Sequence, residues 1–262
     1  MTPPRRAFFQ SPLGQAHYIE AGPSDGVPVV LLHQTPRSTD EFAEVLPLIA
    51  TRRRVIALDT PGYGCSDRVS GQPTVADYAA VVVALLDHVG VTEADLAGHH
   101  TGAILAIEAA AAWPERVRRL VLSGPIYLDE KTRADLSALF VQWVVDAEGR
   151  HFTDKWTRMS AWTSDRPLLQ RLVVDIFRAG EHSEQGHFAV AAYRMEDRVT
   201  RVTCPALLLY GERDSFSVPE ENRRKMRAAL PHSQERLIDG GVFLPNESPE
   251  AFAAATLEFL ES

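Results

Sequence analysis

His100 stands at the centre of Gly98-His99-His100-Thr101-Gly102, inside a stretch that reads as strand, sharp turn, helix and strand. Glycines two residues before and two after the central position suit a strained turn whose helix packs tightly against neighbouring strands. A side chain on such a turn sits at the N-terminus of the helix beginning at Thr101 and is aimed into a pocket. There the positive end of the helix dipole disfavours imidazolium by up to roughly 1–2 kcal/mol. Burial pushes the same way, and a neighbouring carboxylate pulls the other. The expected balance is an imidazole uncharged at neutral pH, serving as a general base or as a nucleophile that forms an acyl-imidazole.

Such a turn needs a sheet edge to hold it. Short, mostly apolar runs at Val29-Val30-Leu31-Leu32, Val55-Ile56-Ala57-Leu58, 94–97, Leu120-Val121-Leu122, 206–209 and Arg236-Leu237-Ile238 suit strands covered on both faces. Ahead of them, 7–10 and 15–20 flank Ser11-Pro12-Leu13-Gly14 and predict an antiparallel hairpin. Helix starts fall between the runs. Ser38 with Glu41, Thr74 with Asp77 and Ser217 with Glu220 fit the capping-box spacing. Ser248-Pro249 places an N-cap before a first-turn proline, and Trp113-Pro114 closes the helix that follows His100. This alternation predicts a doubly wound α/β fold with a mostly parallel sheet of about eight strands.

The rhythm breaks over 125–201, which holds helical stretches, no convincing strand and many aromatics, among them Tyr127, Phe140, Trp143, Trp156 and Trp162. We read it as a helical cap inserted into a core made of 1–124 and 202–262. Open α/β sheets bind ligands at the carboxyl edge of their strands, so a cap there walls a pocket for a small-molecule substrate, with Trp143 expected to face it.

Composition narrows the partners. Lys and Arg total 27 against 35 Asp and Glu, a net charge of −8, which offers no basic surface to a nucleic acid. The longest apolar run, 79–86, is far too short to span a bilayer, and the N-terminus lacks the apolar core of a signal peptide. Cys65 and Cys204 have no metal-ligand spacing and fit a reducing, cytoplasmic setting. No cofactor and no membrane partner are expected, and a homo-oligomer stays open.

Five segments recur in a familiar order: His33-Gln34-Thr35-Pro36, Asp59-Thr60-Pro61-Gly62-Tyr63-Gly64-Cys65-Ser66-Asp67, the turn at His100, Gly211-Glu212-Arg213-Asp214, and Asp239-Gly240-Gly241-Val242-Phe243. On these the chain resembles the α/β-hydrolase superfamily, specifically its capped single-domain members, over nearly its whole length. The resemblance implies a nucleophile, an acid and a histidine in that chain order. Asp214 is the acid, but His100 fills the nucleophile position, Val242 fills the histidine position and Gln34 replaces the glycine after His33. A serine-esterase mechanism is excluded at these positions. An imidazole reaches about 2–3 Å further than a serine hydroxyl, so His100 is expected to meet Asp214 directly or through one water, as a dyad whose carboxylate fixes the tautomer.

The resemblance also implies an oxyanion site built from the N–H of Thr101 and an N–H near Gln34 and Thr35, with the Thr35 hydroxyl as a further donor. Arg37, His33, Val242 and Trp143 are the expected substrate contacts, Arg37 as receiver of a carboxylate. In the family the histidine corresponding to His33 more often braces loops. A zinc site at His33, His99 and His100 is not expected, because the adjacent His99 and His100 side chains should diverge. Two function classes follow. One is an enzyme acting on a small, partly apolar ester, lactone or related carbonyl compound, with cofactor-independent lyase or oxygenase chemistry as a variant. The other is a catalytically degenerate ligand-binding protein.

Overall fold

All of the strand-forming runs lie in one eight-stranded sheet in a computed structural model, which describes residues 4–140, 142 and 144–262. The strands are β1 (Arg5–Ser11), β2 (Gly14–Ala21), β3 (Val29–Leu32), β4 (Val55–Leu58), β5 (Ala94–His99), β6 (Val117–Ser123), β7 (Ala206–Gly211) and β8 (Ser233–Ile238). Their spatial order is β1-β2-β4-β3-β5-β6-β7-β8. β1 and β2 form the predicted antiparallel hairpin, β2 also meets β4 antiparallel, and all remaining pairs are parallel. This is the α/β-hydrolase fold the motifs imply.

The helices are α1 (Val45–Ile49), α2 (Val75–His88), α3 (Thr101–Ala112), α4 (Glu130–Leu139), α5 (Arg150–Ser160), α6 (Arg166–Ala179), α7 (Gln185–Ala192), α8 (Glu220–Ala229), α9 (Leu244–Glu247) and α10 (Pro249–Glu261). Period-two alternation in the strands sorts two apolar layers. Val30, Leu32, Ile56, Leu58, Leu96 and Leu122 pack with residues of α2 and α3, while Val29, Leu31, Val55, Ala57 and Val121 pack with α1 and α10. Both faces are covered, which is why these strands carry no polar side. Between β6 and β7 the chain runs through α4, α5, α6 and α7 with no strand among the described residues. No helix of the described residues is long and apolar enough to cross a membrane.

Two of the capping-box expectations need correction. Thr74 and Asp77 do form the reciprocal box that starts α2. Ser38, however, caps only a short 3₁₀ turn through the N–H of Asp40, and Glu41 is buried elsewhere. Ser217 donates its hydroxyl to Asp214 instead of capping α8, which begins behind Pro219. In both cases a buried polar group nearby competes successfully for the side chain.

Gly98 and Gly102 are required by close approach of backbone to backbone. A Cβ on Gly98 would overlap the carbonyl of Gly102, and one on Gly102 would overlap the carbonyl of Leu32 in β3. Gly102→Ala therefore loses about 3 kcal/mol of stability, by forced separation of α3 from β3; urea denaturation checks this, and a loss below about 1 kcal/mol would contradict so tight a contact.

Candidate active site

Strand order reverses between β3 and β5, so the loops leaving their carboxyl ends part and open a crevice, the usual ligand position in such sheets. His100 follows β5 at that point, with φ 46° and ψ −109°. It is the one non-glycine residue with positive φ among those described. Such backbone costs about 1–3 kcal/mol and persists only where its surroundings over-determine it. The hydrogen bond from His100 N to Ser123 O (2.8 Å) and the glycine contacts above supply that constraint.

The strained turn sends the imidazole toward the loop after β7. His100 Nε2 lies 3.1 Å from Asp214 Oδ2, at ion-pair distance but off the line of a hydrogen bond. The dyad implied by the resemblance is thus a direct contact. Asp214 is buried and further held by the N–H of Phe216 (3.0 Å) and the Ser217 hydroxyl. Gly124, at the end of β6, makes room: a Cβ there would stand 2.9 Å from His100 Nε2 and 3.2 Å from Asp214 Oδ2.

The direction of the shift at His100 is the opposite of what burial and the helix dipole alone would give. Burial pushes the His100 ring toward neutrality, but the Asp214 charge, with a smaller contribution from Glu41, outweighs it and raises the pKa above the ordinary histidine value of 6.5. Burial alone would raise the Asp214 carboxyl; the His100 charge and the Ser217 hydrogen bond hold it well below the usual carboxylate range. At about 3 Å in a low-dielectric site the carboxylate favours the protonated ring more than the helix dipole and desolvation oppose it. Raised His100 stabilises the fold fully below 6.5 and loses that contribution as pH rises through its folded pKa. Depressed Asp214 contributes above its ordinary range and loses its share as pH falls through its folded pKa.

His99 does not diverge from His100. The rings meet edge-on with centroids 4.6 Å apart. His99 is nonetheless no metal ligand, since Nε2 donates to Val242 O (2.9 Å) and Nδ1 accepts from Ser123 Oγ (2.9 Å). Burial first, then the His100 charge, pushes its pKa down to about 4. His33 braces loops: Nδ1 donates to Gln34 O (2.8 Å) and Nε2 accepts from Thr60 N (3.0 Å). The described residues bring three ligand types together only at His17, Asp59 and Cys65. There Asp59 already binds His17 and the N–H groups of Thr39 and Cys65.

Two expected roles are corrected, those of Gln34 and Arg37. The Gln34 N–H donates to Glu41 Oε2 (2.8 Å) and its side-chain amide to Glu41 Oε1 (2.7 Å), so Gln34 is spent on a buried carboxylate. Thr35 borders the same cavity as His100 and Thr101, and its hydroxyl lies beside Tyr63. Arg37 is buried with every nitrogen engaged: Nε to Asp175 (2.9 Å), one terminal nitrogen to Asn246 (3.1 Å) and the other to Asp40 (3.2 Å). Asp175 and Asp40 already balance its charge, so it is not free to serve as a dedicated receiver of a substrate carboxylate. Trp143 lies outside the described residues.

A cavity of about 380 Å³ opens above His100, bordered by Thr35, Thr101, Val242 and Phe243 from the sheet edge and by Leu136, Met159, Leu172 and Ile176 from the helical segment. Its walls are mainly apolar. The segment also contributes Lys155, Arg158, Glu184 and His187, which the sequence reading passed over. Lys155 and Arg158 lie three residues apart, as do Glu184 and His187, but only the fold brings the two pairs together. Ser217 carried a better signal: Asp214 accepts from the N–H two residues on, the pattern of an Asx turn.

Residues 27–247 match a family model described as alpha/beta hydrolase fold. The chain is 29% identical over 218 residues to the dihydrolipoyllysine-residue acetyltransferase component of an acetoin cleaving system of Pseudomonas putida. That match takes in 79% of this chain but 57% of the relative, so the chain spans little more than half of that protein's length. It is 25% identical over 273 residues to haloalkane dehalogenase 2 of Mycobacterium bovis, covering 96% and 93% of the two chains. Among solved structures, a hydrolase from Pseudomonas aeruginosa PA01 superposes with a TM-score of 0.85 at 22% identity, over 98% of this chain and 99% of that one, a likeness of fold.

The electrostatic balance is open to measurement. In NMR spectra of histidine-labelled protein, His100 titrates above 6.5 in the wild type and below it in Asp214→Asn, where burial acts unopposed. A wild-type midpoint below 6.5 would refute the ion pair.

Proposed function

This chain belongs to the α/β-hydrolase fold family, and from that premise we propose that it is a hydrolase of small, partly apolar esters, lactones or related carbonyl compounds, with His100 as general base. The observation that carries the reading is the His100–Asp214 contact at the floor of an apolar cavity, on a turn whose backbone is strained to present that ring. Drift toward inactivity has no reason to keep a strained imidazole over a buried carboxylate.

The chemistry follows from which nitrogen is sealed. Nε2 is buried against Asp214, which leaves Nδ1 as the ring nitrogen for the cavity. Once the imidazolium loses a proton, Asp214 keeps the remaining one on Nε2, and the Nδ1 lone pair accepts a proton from water attacking the carbonyl. The backbone N–H groups of Thr35 and Thr101 are the donors for the developing oxyanion, now that Gln34 is committed to Glu41. The helical segment 125–201 acts as a cap that excludes bulk water from this step, which strengthens each charge interaction inside. The raised pKa makes His100 a stronger base, present in its free form only at higher pH.

Turnover of 4-nitrophenyl acetate followed from about pH 5 to 9 should rise through one ionisation above the ordinary histidine value, and His100→Asn should fall at least about 100-fold. Undiminished turnover in a folded His100→Asn protein would remove His100 from the mechanism. Saturable binding of the ester without turnover would turn the assignment to the ligand-binding class.

A further inference from the structure

A second histidine–carboxylate pair borders the cavity, carried by the helical segment and not by the sheet. Glu184 caps the start of α7 and His187 lies in its first turn; both line the cavity that His100 borders from the end of β5. Glu184 is buried, and its Oε2 accepts from His187 Nδ1 at 2.7 Å. Its Oε1 meets the Lys155 amine at 3.3 Å, so the carboxylate is held from both sides. Burial alone would raise the Glu184 carboxyl, but the His187 hydrogen bond, and Lys155 after it, hold it below its ordinary range. The ring is fixed as well, lying flat on Phe140 with centroids 3.9 Å apart and planes 3° from parallel. Its Nε2 has no hydrogen-bond partner among the described residues, although the side chain is only 19% exposed. With Nδ1 committed to Glu184, Nε2 is the nitrogen left for a molecule in the cavity, and a ring oriented in this way by a carboxylate suits acid–base work.

Ester hydrolysis needs two proton transfers, one off the attacking water and one onto the departing oxygen. His100, pinned by its backbone and by Asp214, has Nδ1 alone for the cavity and takes the first. We propose that His187 supplies the second as general acid, and that the substrates are alkyl esters or lactones whose alkoxide is too basic to leave unassisted. This rests on the hydrolase reading and adds a second catalytic residue to it. The water oxygen bonds to the carbonyl carbon as its proton passes to His100 Nδ1. The bond from that carbon to the leaving oxygen then breaks, its electron pair stays on the oxygen, and the oxygen takes the proton from His187 Nε2. His100 ends protonated and His187 neutral, and one proton moved between them through solvent restores both, since imidazoles exchange protons near neutrality. Positioned proton transfer of this kind contributes about 10²–10⁴-fold.

Hydrolysis of 4-nitrophenyl acetate and benzyl acetate by the full chain, followed as acid release, tests the assignment. The two esters share an acyl group and differ in the basicity of the departing oxygen. The wild type should turn over both. His187→Phe keeps a ring on Phe140 and loses the proton; it should lower kcat for benzyl acetate at least about 100-fold, and at least about tenfold more than for 4-nitrophenyl acetate. Should that protein fail to fold, His187→Gln, whose amide is also a donor for Glu184, takes its place. His100→Asn should lower both esters alike, because water attacks in either case. Equal losses on the two esters in the His187 variant, or wild-type turnover of the nitrophenyl ester alone, overturn the acid role and leave the hydrolase reading standing. Turnover of neither ester by the wild type removes both.

Discussion

Burying an ionisable ring against a carboxylate is the constraint around which this site is arranged. Each charge alone would be expelled from such a site or would neutralise itself, and their contact makes both tenable. That contact demands a ring aimed across the crevice, which the positive φ of His100 provides. It demands a carboxylate that cannot turn away, which the Phe216 N–H and the Ser217 hydroxyl ensure. It also demands an absence of side chain at Gly124, where a Cβ would press on both partners inside van der Waals contact.

The neighbouring histidine is kept out of competition. Two imidazoles meeting edge-on at 4.6 Å cannot both hold a proton cheaply. Val242 O and Ser123 Oγ fix His99 in one neutral tautomer, and the His100 charge reinforces it. Behind them Glu41 takes the N–H and the amide of Gln34, adding a second, weaker negative field at His100. The loss of the glycine after His33 thus has a structural counterpart: Gln34 ties the β3 loop to a buried acid and to Val242 O (3.4 Å).

Charge also docks the helical segment. Arg37 reaches from the β3 loop to Asp175 of α6, which in turn accepts from Ser38 (2.8 Å), while Arg171 of α6 returns to Asp40 (2.7 Å) and Glu44. These pairs hold the roof of the cavity in register with its floor. They also consume the charge of Arg37.

The sequence by itself determined the architecture and the identity of the unusual residues. Alternating apolar runs, the hairpin, and the glycines flanking His100 are local features with local physical causes, and the strands formed where those patterns placed them, though two helix starts did not. Motif order marked His100, Asp214 and Val242 as neighbours in space. Tertiary structure alone decided what those neighbours do to one another. The sign of the shift at His100 depends on whether a carboxylate 114 positions away arrives at 3.1 Å or at twice that, and no spacing encodes such a distance. The fates of Gln34 and Arg37 were settled likewise, by carboxylates on other segments. A polar side chain's role is set by whichever group reaches it once water has been excluded, and that competition takes place only in the folded chain.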